Sequence, residues 1–384
     1  MNSKITQIKV HTHCNELGGK IWNPSIRWTD KYAVFVTLHD SAGKVGLGEC
    51  WCFDAAPDAL VAYLRTEVIP HFPGQMLSDV PHIAGGLFEK ATLTARHGIL
   101  ASALAGIDIA MWDLTAKHEN TPLWRRLNKD GSSSANLYAS GGLYGEGKSV
   151  EDLCKEMTAH AARGFALSKM KVGALSLQED TARVKAVLAA LPETAKLIID
   201  GVYSYSYDDA LRLFEALPPE RIEAFQSPTK AWDYAGMAHL TKTGVPVMAT
   251  EAEYRPEIHD RLIEQVKVAF LQTAPIAVGG LSQISRLADK VKGTQTRLSL
   301  EVSSTAIALM AAVHAAAAYT EIAHVEYHSI HSVFFNALEL EHGTGQPFRV
   351  TPPDKPGLGI SLPDNDVSVA FEGRPSGPAP KDAA

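Results

Sequence analysis

Two textures of hydrophobic and polar positions divide the chain near residue 130. Before it, apolar residues alternate with polar ones over 5–10 and 32–39, the period of a strand with one buried face. The second run ends in Asp40-Ser41-Ala42-Gly43-Lys44 and is followed by Val45-Gly46-Leu47-Gly48-Glu49, so an antiparallel sheet is expected. Over 58–67 and 99–117 the period becomes helical. In the second stretch Ile99, Ala103, Ile107, Ala110, Met111 and Leu114 mark a buried face. Residues 1–130 thus read as a small α+β unit.

From 135 onward short apolar runs alternate with amphipathic stretches. The runs predict strands at 137–140, 166–172, 197–200, 222–226, 245–250, 268–272, 297–301 and 322–326. Helical stretches between them include 177–190, 208–217, 234–243, 256–265, 281–291 and 305–318. This alternation predicts a parallel β/α (TIM-type) barrel over 131–335 with right-handed crossovers. An open doubly wound sheet is disfavoured, because Gly141-Gly142-Leu143-Tyr144-Gly145-Glu146-Gly147 makes a poor phosphate loop. The tail, 336–384, carries Pro352-Pro353-Asp354-Lys355-Pro356-Gly357-Leu358-Gly359. It reads as an excursion back to the N-terminal unit, frayed after about 372.

Barrels of this kind carry chemistry where strands end. Lys169 and Lys171 flank Met170 in the second strand, and alternation turns both inward. The following strands end at or beside Asp200, Gln226, Glu251, Gln272-Thr273-Ala274, Glu301 and Glu326. The first three are 26 and 25 residues apart, one βα unit each, and so belong side by side at one mouth. Lysines beside carboxylates suit a carbon acid: a lysine of lowered pKa is a base, and carboxylates can hold a divalent cation that stabilises an enediolate. The same residues also suit a salt-bridge layer without chemistry. His324, His328 and His331 gather at the eighth strand, with His314 on the helix before it; His328 shares a face with Glu326.

Composition narrows the reading further. The 384 residues are 46% hydrophobic and 21% charged, enough for a barrel plus a smaller domain. A net charge of −7 argues against nucleic acid as the main ligand. The longest apolar runs, such as 310–318, are too short for a bilayer, and the N-terminal stretch lacks an apolar signal core. The four cysteines, Cys14, Cys50, Cys52 and Cys154, fit neither a zinc site nor a disulfide framework, so a cytoplasmic protein is expected.

The run from Ala105 through Gly106-Ile107-Asp108 and Trp112-Asp113 to Lys117, followed by Pro122-Leu123-Trp124, resembles the signature helix of the mandelate racemase/muconate lactonizing enzyme group of the enolase superfamily. Gly46-Leu47-Gly48-Glu49, Lys169-Met170-Lys171, Gly279-Gly280, Glu326-Tyr327-His328 and Pro356-Gly357-Leu358-Gly359 fit the same group, so the resemblance runs from about 4 to 362. It implies a capping domain built from both termini and closing over the barrel mouth. The loops at 15–28 and 51–57 would touch substrate, with Trp22, Trp28, Trp51 and Phe53 lining the pocket beside Glu326 and His328. It implies Mg²⁺ on Asp200, Gln226 and Glu251, and a homo-oligomer.

The chain departs from the family pattern at defined positions. Gln226 stands where a carboxylate is expected, which removes one negative charge from the metal site. Val202 replaces the asparagine often found two residues after this aspartate. The aspartate–histidine pair of mandelate-type racemases falls on Ala274 and Glu301. The implied function is an isomerase or hydro-lyase that takes the α-proton of a small hydroxy or sugar acid. Lys171 would be the base, with Lys169 lowering its pKa and Glu301 as a second acid/base. A metal-independent enzyme and a non-catalytic binding protein on this scaffold are the competing readings.

Overall fold

The computed structural model describes residues 3–52, 57–328, 330, 341–342 and 348–361. At the N-terminus β1 (Ile5–Trp22), β2 (Arg27–Asp40) and β3 (Val45–Cys50) form an antiparallel sheet in the order β3-β2-β1. Both long strands outrun the alternation that announces them, and most of the expected loop at 15–28 is paired ribbon, out to Trp22 opposite Arg27. The pattern fades there because Asn15, Glu16, Lys20 and Asp30 leave neither face apolar. Asn23 closes the tip, its Oδ1 accepting from Ser25 N and Ile26 N, each at 2.8 Å.

The sheet packs on the helix His97–His118. At this crossing the backbones nearly touch: a Cβ on Gly48 would lie 1.9 Å from Gly106 O, so only glycine fits. The helix has 22 residues and is apolar enough to cross a bilayer, longer than any run singled out from the sequence. Its hydrophobicity has another cause, since the cap sheet covers one side and barrel elements the other.

The barrel strands are β4 (Ala135–Ser140), then, after the two-residue β5 (Tyr144–Gly145) that joins the cap sheet, β6 (Leu167–Lys171), β7 (Lys196–Asp200), β8 (Ile222–Gln226), β9 (Val247–Ala249), β10 (Phe270–Thr273), β11 (Arg297–Leu300) and β12 (Ile322–His328). All pair in parallel with their neighbours, and β12 closes onto β4. The eight expected strands are all present, most within two residues of the sequence reading. Inside the lower barrel Tyr138, Ile198, Ala224, Met248 and Phe270 form an apolar plug. His324 belongs to this layer, its ring 5.0 Å from Phe270 and 5.3 Å from Tyr138, and so sits below the mouth where sequence grouped it with His328.

After the short pair β13 (Glu341–His342) and β14 (Arg349–Thr351), with β14 antiparallel to β4, the chain returns to the cap. Leu358 N donates to Asp113 Oδ1 at 2.7 Å, and Leu47 N donates to Asp113 Oδ2 at 2.8 Å. One buried carboxylate of the signature helix thereby ties β3 to the C-terminal segment. Asp108, five residues earlier on the same helix, accepts from Ser282 N at 3.0 Å at the start of the barrel helix Leu281–Val291. The expected frayed end after 372 lies outside the described residues.

Candidate active site

Strand periodicity places both lysines of β6 inside the barrel, 2% and 8% exposed for Lys169 and Lys171. Parallel register sets Lys171 beside Asp200, and Asp200 beside Gln226. Lys171 Nζ ion-pairs with Asp200 Oδ2. Lys169 Nζ lies 3.7 Å from the same oxygen and 2.5 Å from Glu326 Oε1, and donates to Gln226 Oε1 at 3.2 Å. Glu251 follows β9 and accepts a 2.7 Å bond from Tyr203 OH. Val202 N and Val302 N fix Asp200 Oδ1 and Glu326 Oε2, each at 3.1 Å.

The loops that follow β7 and β8 are backbone-strained. Val202, Tyr203 and Ser227 take φ values of 46°, 60° and 46°, left-handed conformations that cost energy for side chains with a Cβ. Tyr203 N is held by Ser227 O at 2.8 Å, so the two strained turns brace each other and aim the phenol at Glu251.

Burial and charge sort the titrating groups into different states. Burial alone would lower the pKa of Lys169, yet Glu326 and Asp200 raise it well above the usual lysine value; the lowering expected for a buried lysine is not found there. Glu326 is burdened by burial but held below the ordinary carboxylate range by Lys169 and Lys171. Burial, then the neighbouring Glu326, pushes Glu301 well above that range. Burial and then Asp200 raise Glu251. His328 is driven well below its usual value by burial and by Lys169 and Lys171, which keeps it neutral.

These groups surround a cleft of about 170 Å³ roofed by Asn23, Ser25, Ile26 and Trp28 from the cap hairpin and walled by Trp51. Glu301, Glu326 and His328 line it. Trp22 does not; its ring stacks on Tyr144 with centroids 6.4 Å apart, under the Arg27 guanidinium, because β5 docks against that end of β1. Phe53 and His331 lie outside the described residues. His314 is structural: its Nδ1 accepts from Trp124 N at 3.1 Å, and its Nε2 lies 3.2 Å from Leu358 O. A larger cavity, about 560 Å³, opens between the cap helices and the barrel helix Leu281–Val291, away from the lysines.

Two contributors escaped the sequence reading. Tyr203 reaches the site only through a left-handed turn that no pattern announces. Lys31, 5% exposed on β2, acts electrostatically on Glu301 and His328 from the cap. Its only sequence signal is a cation in the polar half of the hairpin.

Among the described residues no cluster of three His, Cys, Asp or Glu side chains is placed to hold a metal. The oxygens of Asp200 and Gln226 nevertheless converge on a cation, here the ammonium groups of Lys169 and Lys171. Two carboxylates and an amide oxygen are hard donors that fit a magnesium ion carrying several waters.

Comparison with known proteins agrees with this architecture. Residues 27–127 match the mandelate racemase / muconate lactonizing enzyme N-terminal domain, and residues 151–367 match the enolase C-terminal domain-like family. The chain belongs to the mandelate racemase/muconate lactonizing enzyme family of the enolase superfamily. Within that family it is 26% identical to the arabinonate dehydratase of Saccharolobus solfataricus, over 86% of this chain and 88% of the relative. It is also 26% identical to the D-galactarolactone cycloisomerase of Agrobacterium fabrum, over 96% and 98%. A racemase of Streptomyces coelicolor solved with bound magnesium shares the fold with a TM-score of 0.83 and 22% identity, over 93% of this chain and 97% of that one.

Proposed function

We propose that this family member takes the α-proton of a small sugar-acid carboxylate with Lys171, forming an enolate that is resolved by isomerisation or by loss of a β-oxygen. The observation that carries this reading is the buried pair Lys169–Lys171 set against Asp200 and Glu326 at the strand ends. Lys169, held cationic by Glu326, is a fixed positive charge beside Lys171. Asp200, Gln226 and Glu251 would hold Mg²⁺, which when bound supplies electrostatic stabilisation of the developing oxyanion. Glu301, across the mouth, is pushed well above the ordinary carboxylate range by burial and then by Glu326, and is placed to donate a proton to a departing oxygen. The sugar-acid class is supported by the relatives' substrates, arabinonate and a galactarolactone.

A panel of aldonates, aldarates and their lactones in deuterated buffer with Mg²⁺ tests the reading. Proton NMR should show deuterium at the α-carbon or loss of water for at least one member. Lys171→Ala should abolish both while the protein stays folded. A Lys171→Ala protein with undiminished exchange removes Lys171 as the base. A wild-type protein that binds these acids but exchanges none is a binding protein.

A further inference from the structure

The three strand ends assigned to the cation differ in how each side chain is held. Asp200 Oδ1 accepts from the amide of Val202 at 3.1 Å, and Gln226 Oε1 accepts from Lys169 Nζ at 3.2 Å. Glu251 is served from two strands away. Tyr203, on the loop after β7, reaches past β8 and donates from its hydroxyl to Glu251 Oε2 at 2.7 Å. The reach depends on the left-handed backbone of Val202 and Tyr203, which is anchored on two sides. Tyr203 N donates to Ser227 O at 2.8 Å, and Ser25 Oγ of the cap hairpin donates to Val202 O at 3.4 Å. One turn thus serves both carboxylates that flank the neutral Gln226, with its amide on Asp200 and its phenol on Glu251. A phenol donates a single proton, so Glu251 keeps Oε1 and one lone pair of Oε2 for a cation.

We propose that Tyr203 is a positioning residue that orients Glu251 toward the magnesium ion and so steadies a site whose middle position carries no charge. This rests on the reading of Asp200, Gln226 and Glu251 as the magnesium donors. Two carboxylates attract a hard cation less than three, so affinity depends more on holding each donor in place. The two common hard cations feel this differently. Mg²⁺ demands a near-octahedral set of oxygens, whereas Ca²⁺ accepts irregular ones. Loss of the phenol therefore costs Mg²⁺ more than Ca²⁺.

The test is calorimetric titration of full-length protein, treated with EDTA and dialysed, with MgCl₂ and separately with CaCl₂. Tyr203→Phe keeps the ring and removes the donor. Its Kd for Mg²⁺ should rise at least about tenfold, and its Kd for Ca²⁺ less than about threefold. A merely structural tyrosine would loosen the mouth and weaken both cations alike. A smaller rise for Mg²⁺, or an equal loss of both cations, overturns the proposal while leaving the metal site standing. Wild-type protein that binds neither cation removes the metal site itself, and the role of Tyr203 with it. If Tyr203→Phe does not fold, Tyr203→Gly, which takes a φ of 60° without strain, is read by the same criteria. The titration needs no substrate, so its outcome is independent of the α-proton exchange assay.

Discussion

Glu49 of the cap and Thr305 of the barrel meet in a buried contact, with Thr305 Oγ1 donating to Glu49 Oε2 at 2.5 Å. The same carboxylate accepts from Ser304 Oγ and from Ala308 N at 3.0 Å, so a cap residue closes the N-terminus of the barrel helix Ala306–Ala318. A negative group at a helix start is favourable, and losing it would orphan two hydroxyls and two amides, those of Thr305 and Ala308. Glu49→Ala is expected to destabilise the protein by about 3 kcal/mol, read from urea unfolding. A loss below about 1 kcal/mol would show that water replaces the carboxylate at this seam.

The proposed metal site has one neutral ligand position, Gln226, and restoring the charge there is a direct test. Gln226→Glu should tighten Mg²⁺ binding at least about tenfold in calorimetry, because hard-cation affinity follows carboxylate number. Equal affinity in the two proteins would mean that Gln226 does not face the ion.

Acid should weaken this fold through two histidines. Burial lowers His314 and His324 to about 4 each. In the unfolded chain they titrate near the ordinary value of about 6.5, so between those limits the unfolded state binds the extra protons. Their contribution is complete above about pH 6.5 and is lost as pH falls toward about 4. At pH 5 the loss amounts to roughly 2 kcal/mol per histidine. His314→Gln should remove about one such share from the pH 7 to pH 5 difference in unfolding free energy; an unaltered difference would rule this histidine out.

What the sequence disclosed follows from which features are local. The inward pair Lys169 and Lys171 is legible because strand alternation has a fixed period, and Asp200, Gln226 and Glu251 because each βα unit has a nearly constant length. The ribbon at 15–28 looks like a loop in the sequence because both its faces are polar. The sequence neighbourhood of Trp22 points to the pocket, whereas the docking of β5 gives it Tyr144 instead. Lys31 and Tyr203 depend on tertiary approach and on a left-handed turn, neither of which leaves a periodic trace.

The carboxylate of Asp113 holds Leu47 near one end of the chain and Leu358 near the other. On the ribosome these partners emerge far apart in time, with the whole barrel synthesised between them. The cap sheet must therefore wait, one oxygen of its anchoring aspartate unmatched, until the last segment clears the exit tunnel. A messenger truncated before codon 358 would leave a barrel whose lid is present in sequence but has no latch.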